Sequence, residues 1–129
     1  MARYLLDTGI IIRHLRGQKP IVQLVRGLSR SDRLGVATVT RLEIFAGMHN
    51  EEVYATQKLL SRFVNFSLEP DIADRVGQFI ARQKAQNQSL TVPDAIIAAT
   101  AVRHQLTLVT LNRRDFESIP GIRLYPVDS

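Results

Sequence analysis

The sequence predicts one α/β domain: a central, mostly parallel five-stranded sheet with helices on both faces. Three observations lead there. Short apolar runs alternate with segments whose apolar residues recur at three- and four-residue steps. Residues 94–104 are apolar almost all round, as expected of a helix through the middle of a fold. A chain of 129 residues that is 45% hydrophobic has the length and apolar content of one self-sufficient core, spanning residues 1–129.

Each element has its own signal. Arg3-Tyr4-Leu5-Leu6 reads as a buried strand ended by the turn Asp7-Thr8-Gly9. Ile10, Ile11, Ile12 and Leu15 suit a short helix stopping near Gly17 and Pro20, and Ile21, Leu24, Val25 and Leu28 define a second. Residues 33–38 form a second strand. Thr40 caps a third helix with Glu43 three residues on, the spacing of a capping box, and Leu42, Phe45, Ala46 and His49 form its apolar face. Residues 51–63 are helical, 65–68 alternate as a short third strand ending at Pro70, and a long helix runs from Ile72 to about Asn87. A polar loop, 89–92, precedes Pro93, which opens the central helix where its missing N–H costs little. Residues 106–110 and 122–125 are the fourth and fifth strands. No repeat, low-complexity tract or linker divides the chain.

Composition removes several function classes. Without cysteine there is no disulfide framework, Cys-ligated zinc, iron–sulfur cluster or thiol catalysis, and a reducing compartment such as the cytoplasm is expected. No run is apolar enough for a membrane span or a secretory signal. His14, His49 and His104 lack metal-ligand spacing, and no P-loop, Rossmann or nucleophile-elbow motif occurs. The net charge of +5 favours polyanionic partners, nucleic acid above all. Arg13, Arg16 and Lys19 follow the first acid, and Arg113 and Arg114 flank Asn112. They either grip RNA phosphates or form a solvated basic face.

Sites in open α/β sheets collect beyond the carboxyl ends of the strands. Asp7 follows strand one, Asp94 lies in the first turn of the central helix, and Asn112 and Asp115 follow strand four. Glu43 joins them if its helix starts on the same edge. Each has an ordinary structural reading beside the functional one: Asp7 as a helix cap, Glu43 as half of the capping box, Asp94 as a partner of the helix dipole, and Asn112 and Asp115 as turn residues. Their joint placement argues for more. Carboxylates so assembled repel unless a cation joins them, and Mg²⁺ or Mn²⁺ takes one or two carboxylates while keeping several waters. An acidic cluster in a basic protein is a plausible phosphodiester-hydrolysis site, because the bound ion activates water and neutralises phosphoryl charge.

Four stretches carry a resemblance over essentially the whole chain: Leu5-Leu6-Asp7-Thr8; Thr38-Val39-Thr40-Arg41-Leu42-Glu43 with Gly47; Pro93-Asp94-Ala95-Ile96-Ile97-Ala98-Ala99-Thr100; and Leu108-Val109-Thr110-Leu111-Asn112 with Asp115-Phe116. In that order and spacing the sequence resembles PIN-domain proteins, most of all the VapC-type ribonuclease toxins of prokaryotic toxin–antitoxin pairs. The resemblance implies a metal-dependent endoribonuclease, with Mg²⁺ or Mn²⁺ held by Asp7, Glu43 and Asp94. Asn112 takes the fourth position, usually Asp or Asn, with Asp115 one helical turn beyond to supply the charge. Thr8 matches the hydroxyl residue expected to orient a bound water or carboxylate. The resemblance further implies an RNA substrate, a small antitoxin that blocks the acidic pocket, and a homodimer. Gly9, where the family usually has Asn, and Asn112 in place of Asp depart from the pattern and weaken the case for two metals. They motivate a second reading, a metal-binding interaction module that has lost turnover. A phospho-accepting receiver domain suits the length, but no Lys follows the last strand to pair with a phosphorylated Asp.

Overall fold

A computed structural model describes residues 2–88 and 90–127. The strands are β1 (Tyr4–Leu6), β2 (Leu34–Ala37), β3 (Val64–Phe66), β4 (Thr107–Val109) and β5 (Arg123–Leu124). The helices are α1 (Thr8–Leu15), α2 (Lys19–Ser29), α3 (Thr38–Gly47), α4 (Val53–Leu60), α5 (Pro70–Ala85), α6 (Val92–Arg103) and α7 (Arg113–Phe116). All strand pairs are parallel, in the order β3-β2-β1-β4-β5. The expectation of a mostly parallel five-stranded sheet is met and sharpened: every pairing is parallel. The order turns back between β1 and β4, which makes their carboxyl ends the switch point where such folds build sites.

Strand alternation divides the core in two. Leu5 and Leu108 face a cluster that holds Ile72, Val76 and Phe79 of α5 and the run Ala95–Ala99 of α6. Leu6 and Val109 face the other side, against Ile10 and Ile11 of α1, Val25 and Leu28 of α2, and Ile44 of α3. Burying each such branched side chain contributes about 1.5–3 kcal/mol. In α6 every residue from Ala95 to Ala101 is buried, so it is sheathed on all sides as its composition predicts. Its four alanines in that stretch let α5 and the sheet approach closely.

Several local expectations fail for identifiable reasons. The Thr40–Glu43 capping box does not form: α3 begins two residues earlier, at Thr38, with Ala37 in the cap position and no side-chain cap. Thr40 is fully buried inside the helix, where its hydroxyl meets Thr8 instead of a backbone N–H. The packed face of α3 is therefore Thr40 and Ile44, one turn apart, and Leu42 points outward at 67% exposure. Ala46 and His49 are exposed too. His49 has left the helix to open a 3-10 turn over Asn50–Glu52, its N–H donating to Glu52 Oε1 at 2.8 Å. That turn splits the helix expected over 51–63. The third strand sits slightly earlier than read, at Val64–Phe66, and Val92 already belongs to α6; Ser89, in the loop expected there, lies outside the described residues.

Candidate active site

Register builds the centre of the site. Because Leu6 pairs with Val109, the next residues, Asp7 and Thr110, leave the sheet side by side. The Asp7 N–H donates to the Val109 carbonyl at 3.0 Å. The Asp7 side chain is 5% exposed, and both its oxygens are held: Oδ1 accepts the Thr8 N–H at 2.8 Å and Oδ2 the Thr110 hydroxyl at 2.6 Å. Asp7 is thus the N-cap of α1 as well as a candidate ligand, so the two readings of this residue coexist. Burial pushes its carboxyl above the ordinary range. The two hydrogen bonds oppose that rise, and the charges of Glu43 and Asp115 add to it.

Thr8 links α1 to α3. Its Oγ1 lies 2.7 Å from Glu43 Oε1 and 3.0 Å from Thr40 Oγ1. A hydroxyl has one proton and a carboxylate can only accept, so the Thr8 proton goes to Glu43 and Thr40 completes the other contact. This bond spans 35 residues of sequence and brings Glu43 close enough for its charge to act on Asp7. Asp94 enters from the first turn of α6, where Thr91 caps the helix by accepting the Asp94 N–H at 3.2 Å. Its carboxyl is also raised, by burial first and then by the charge of Asp7, with Asp115 and Glu43 adding to the rise and Thr91 opposing it.

Asp7, Glu43, Asp94 and Asp115 therefore lie within electrostatic reach of one another at one rim. Asn112 and Asp115 are both exposed beyond β4. Asn112 contributes its backbone N–H to Thr110 Oγ1 at 3.0 Å, and its side chain makes no cap bond to α7. Asp115, in α7, adds to the negative charge felt by Asp7 and Asp94. Sequence reasoning overlooked Thr110 and the inward role of Thr40. The signal for Thr110 was its place at the end of β4 opposite Asp7.

Among the described residues the only ion pairs are Arg3–Asp32 and Arg103–Asp71, so none of the four rim acids has a basic partner. That is a notable economy of pairing in a chain with 17 Lys and Arg. Among the described residues no three acid or imidazole groups are already closed around a metal-sized point. The donor set still suits Mg²⁺ or Mn²⁺: it is all oxygen, lacks a protein cation and repels itself, and such ions bind through one or two carboxylates with waters filling the rest. A cavity of 370 Å³ adjoins Glu43 between α1, α3 and the 3-10 turn, and Arg16 and His49 also line it. Of the basic residues near the acids, Arg16 reaches this cavity, while Arg13 bonds Gln18 and Arg113 bonds the Tyr125 carbonyl.

The PIN-domain family matches residues 4–122, and the chain belongs to it. Ribonuclease VapC19 of Mycobacterium tuberculosis is 29% identical over 120 residues, covering 92% of this chain and 96% of that protein. Among solved structures, DNA-bound VapBC from Salmonella typhimurium superimposes with a TM-score of 0.86 at 25% identity, covering 97% of this chain and 98% of its own. A toxin–antitoxin complex from Klebsiella pneumoniae does so with a TM-score of 0.75 at 30% identity, covering 96% and 99%. No helix among the described residues is long and apolar enough to cross a membrane.

Proposed function

We propose that the protein is a divalent-metal-dependent endoribonuclease, the toxin of a toxin–antitoxin pair. The observation that carries this reading is the pooling of Asp7, Glu43, Asp94 and Asp115 at the switch point with no basic partner among the described residues. Kinship to a VapC ribonuclease and to toxin–antitoxin complexes supports the substrate and the partner.

In this reading Asp7 and Asp94 hold Mg²⁺ or Mn²⁺, and Glu43 either joins them or orients the attacking water. When bound, the ion lowers the pKa of water and offsets charge on the phosphoryl group. The protein's own part is positioning. Thr8 N–H and Thr110 fix both oxygens of Asp7, Thr8 Oγ1 fixes Glu43, and Thr91 fixes the start of the helix bearing Asp94. Asp115 completes the negative charge that Asn112 lacks. Arg16, beside Glu43, is placed to meet an RNA phosphate. Gly9 is exposed and a Cβ there would meet open space, so the departure from Asn removes a polar group without disturbing the packing.

The reading also includes an antitoxin that covers the acidic rim, a homodimer, and residence in the cytoplasm. The test is cleavage of structured RNA with and without EDTA by the wild type, Asp7→Asn and Asp94→Asn. The expected result is cutting by the wild type in Mg²⁺ or Mn²⁺ alone. Equal cutting in every sample would reject the mechanism, and tight metal binding with no cleavage of any RNA would favour the module that has lost turnover.

A further inference from the structure

The acids occupy the rim where the strands end. On the opposite rim, where β2 and β3 begin, lies a hollow of 510 Å³ bounded by the end of α1, the second half of α2, residues 30–33 and the end of α4. Arg26, Arg30, Arg33 and Arg62 line it, together with His14. Among the described residues none of these arginines is in an ion pair. The one carboxylate in the wall, Asp32, meets Arg3 at 3.6 Å and the Ser31 hydroxyl at 3.2 Å, both through Oδ2. Four arginines from three separate segments thus line a hollow whose single carboxylate, Asp32, already meets a basic partner, an excess of positive charge that favours an anion.

Two further features narrow the ligand. The Nδ1 of His14 is buried and has no hydrogen-bond partner among the described residues. Burial, with the nearby charges of Arg26 and Arg62, lowers the pKa of this ring, so at neutral pH it adds no further cation to the wall. Ser29 and Ser31 add hydroxyls to the lining, and Val25, Leu34, Leu59 and Phe63 give one part of the wall an apolar surface. Guanidinium forks match phosphate oxygens in geometry, and the volume is that of a small-molecule site rather than of a bare ion.

We infer that this far-rim pocket binds a nucleotide, its phosphate taken by the arginines and its nucleoside lodged against the apolar wall beside His14 and Phe63. The nucleotide is either free or one unit of an RNA strand. The pocket shares no residue with the acidic rim, so either site can fail without the other.

The test uses the full chain in EDTA, which removes divalent cations from the acidic rim. Inorganic phosphate, adenosine 5′-monophosphate and a short single-stranded oligoribonucleotide are titrated separately by calorimetry, with the His14 imidazole followed by NMR. The expected result is that the mononucleotide or the oligonucleotide binds more tightly than phosphate and moves the His14 resonances. Mononucleotide binding identifies a free ligand, and binding of the oligonucleotide alone identifies a strand. Arg26→Gln with Arg62→Gln, two exposed positions, should weaken that binding about tenfold or more while leaving cleavage of short RNA in Mg²⁺ unchanged. Undiminished binding by this double variant, equal affinity for phosphate and nucleotide, or no binding of any probe would overturn the assignment.

Discussion

The Thr110 hydroxyl donates a 2.6 Å hydrogen bond to Asp7 Oδ2, joining residues 103 positions apart. They meet because β1 and β4 are parallel neighbours with Leu6 opposite Val109. With the Thr8 N–H on the other oxygen, the bond holds the Asp7 carboxylate in one orientation before any ion or substrate arrives. Thr110 Oγ1 also accepts the Asn112 N–H, so one hydroxyl ties the first acid to the loop that leads to Asp115.

Thr110→Val removes that bond while nearly preserving shape. The hydrogen bond to a charged group contributes about 1.5–3 kcal/mol. It also opposes the rise of the Asp7 pKa, so its loss sends that pKa higher. The acid limb of the pH–rate profile should move to higher pH, and Thr110→Ser should return it. Superimposable profiles for wild type and Thr110→Val would remove Thr110 from the site.

The raised carboxyls make a signed prediction for the metal-free protein. Asp7 and Asp94 keep their protons, when folded, at pH values where the unfolded chain, with its ordinary 3.8, has lost them. Their contribution to stability is therefore full below that value and falls as pH rises through the folded pKa values. At neutral pH in EDTA, Asp7→Asn and Asp94→Asn should melt at higher temperature than the wild type. Added Mg²⁺ should raise the wild-type melting temperature in proportion to the logarithm of its concentration and leave the variants nearly unmoved. A wild type that melts above both variants in EDTA would show that the rim acids are not under mutual strain.

Thr8→Val leaves the helix cap in place, since that uses the backbone N–H, but releases Glu43. The expected loss is about ten- to a hundredfold in kcat with little change in KM, as befits a group that positions a reacting one. A change confined to KM would assign Thr8 to RNA binding instead.

Gly35 tests the packing beneath the site. A Cβ there would lie 2.5 Å from the Phe66 ring and 3.3 Å from the Tyr4 carbonyl. Gly35→Ala should cost about 1–3 kcal/mol in denaturant unfolding, and adding Phe66→Leu should recover part of it. No loss in the single variant would mean that β2 and β3 are looser than their register indicates.

What was legible in the sequence was whatever depends on local periodicity and on strand-end position. The all-buried α6, the alternation of strands and helices, and the placement of Asp7 and Asp94 followed from those patterns. The start of α3 did not. The pattern Thr40–Glu43 satisfies a capping rule, but the partners of both side chains come from α1, so a tertiary bond replaced a local one. Leu42 misled for a similar reason: the core-facing row of α3 is set by Thr40, a polar residue whose burial only the Thr8 contact explains. The choice between Asn112 and Asp115 was open in the sequence because both follow β4; in the structure the Asn112 N–H bonds Thr110, and the charge of Asp115 is felt by Asp7 and Asp94.

Calorimetric titration of Mn²⁺ into wild type, Asp7→Asn, Asp94→Asn, Asp115→Asn and Asn112→Ala tests the shared cation pocket most directly. A shared pocket requires binding by the wild type, at least about tenfold weaker binding in Asp7→Asn and Asp94→Asn, a smaller loss in Asp115→Asn, and near-wild-type affinity in Asn112→Ala. Equal Mn²⁺ affinity across all five proteins would contradict it.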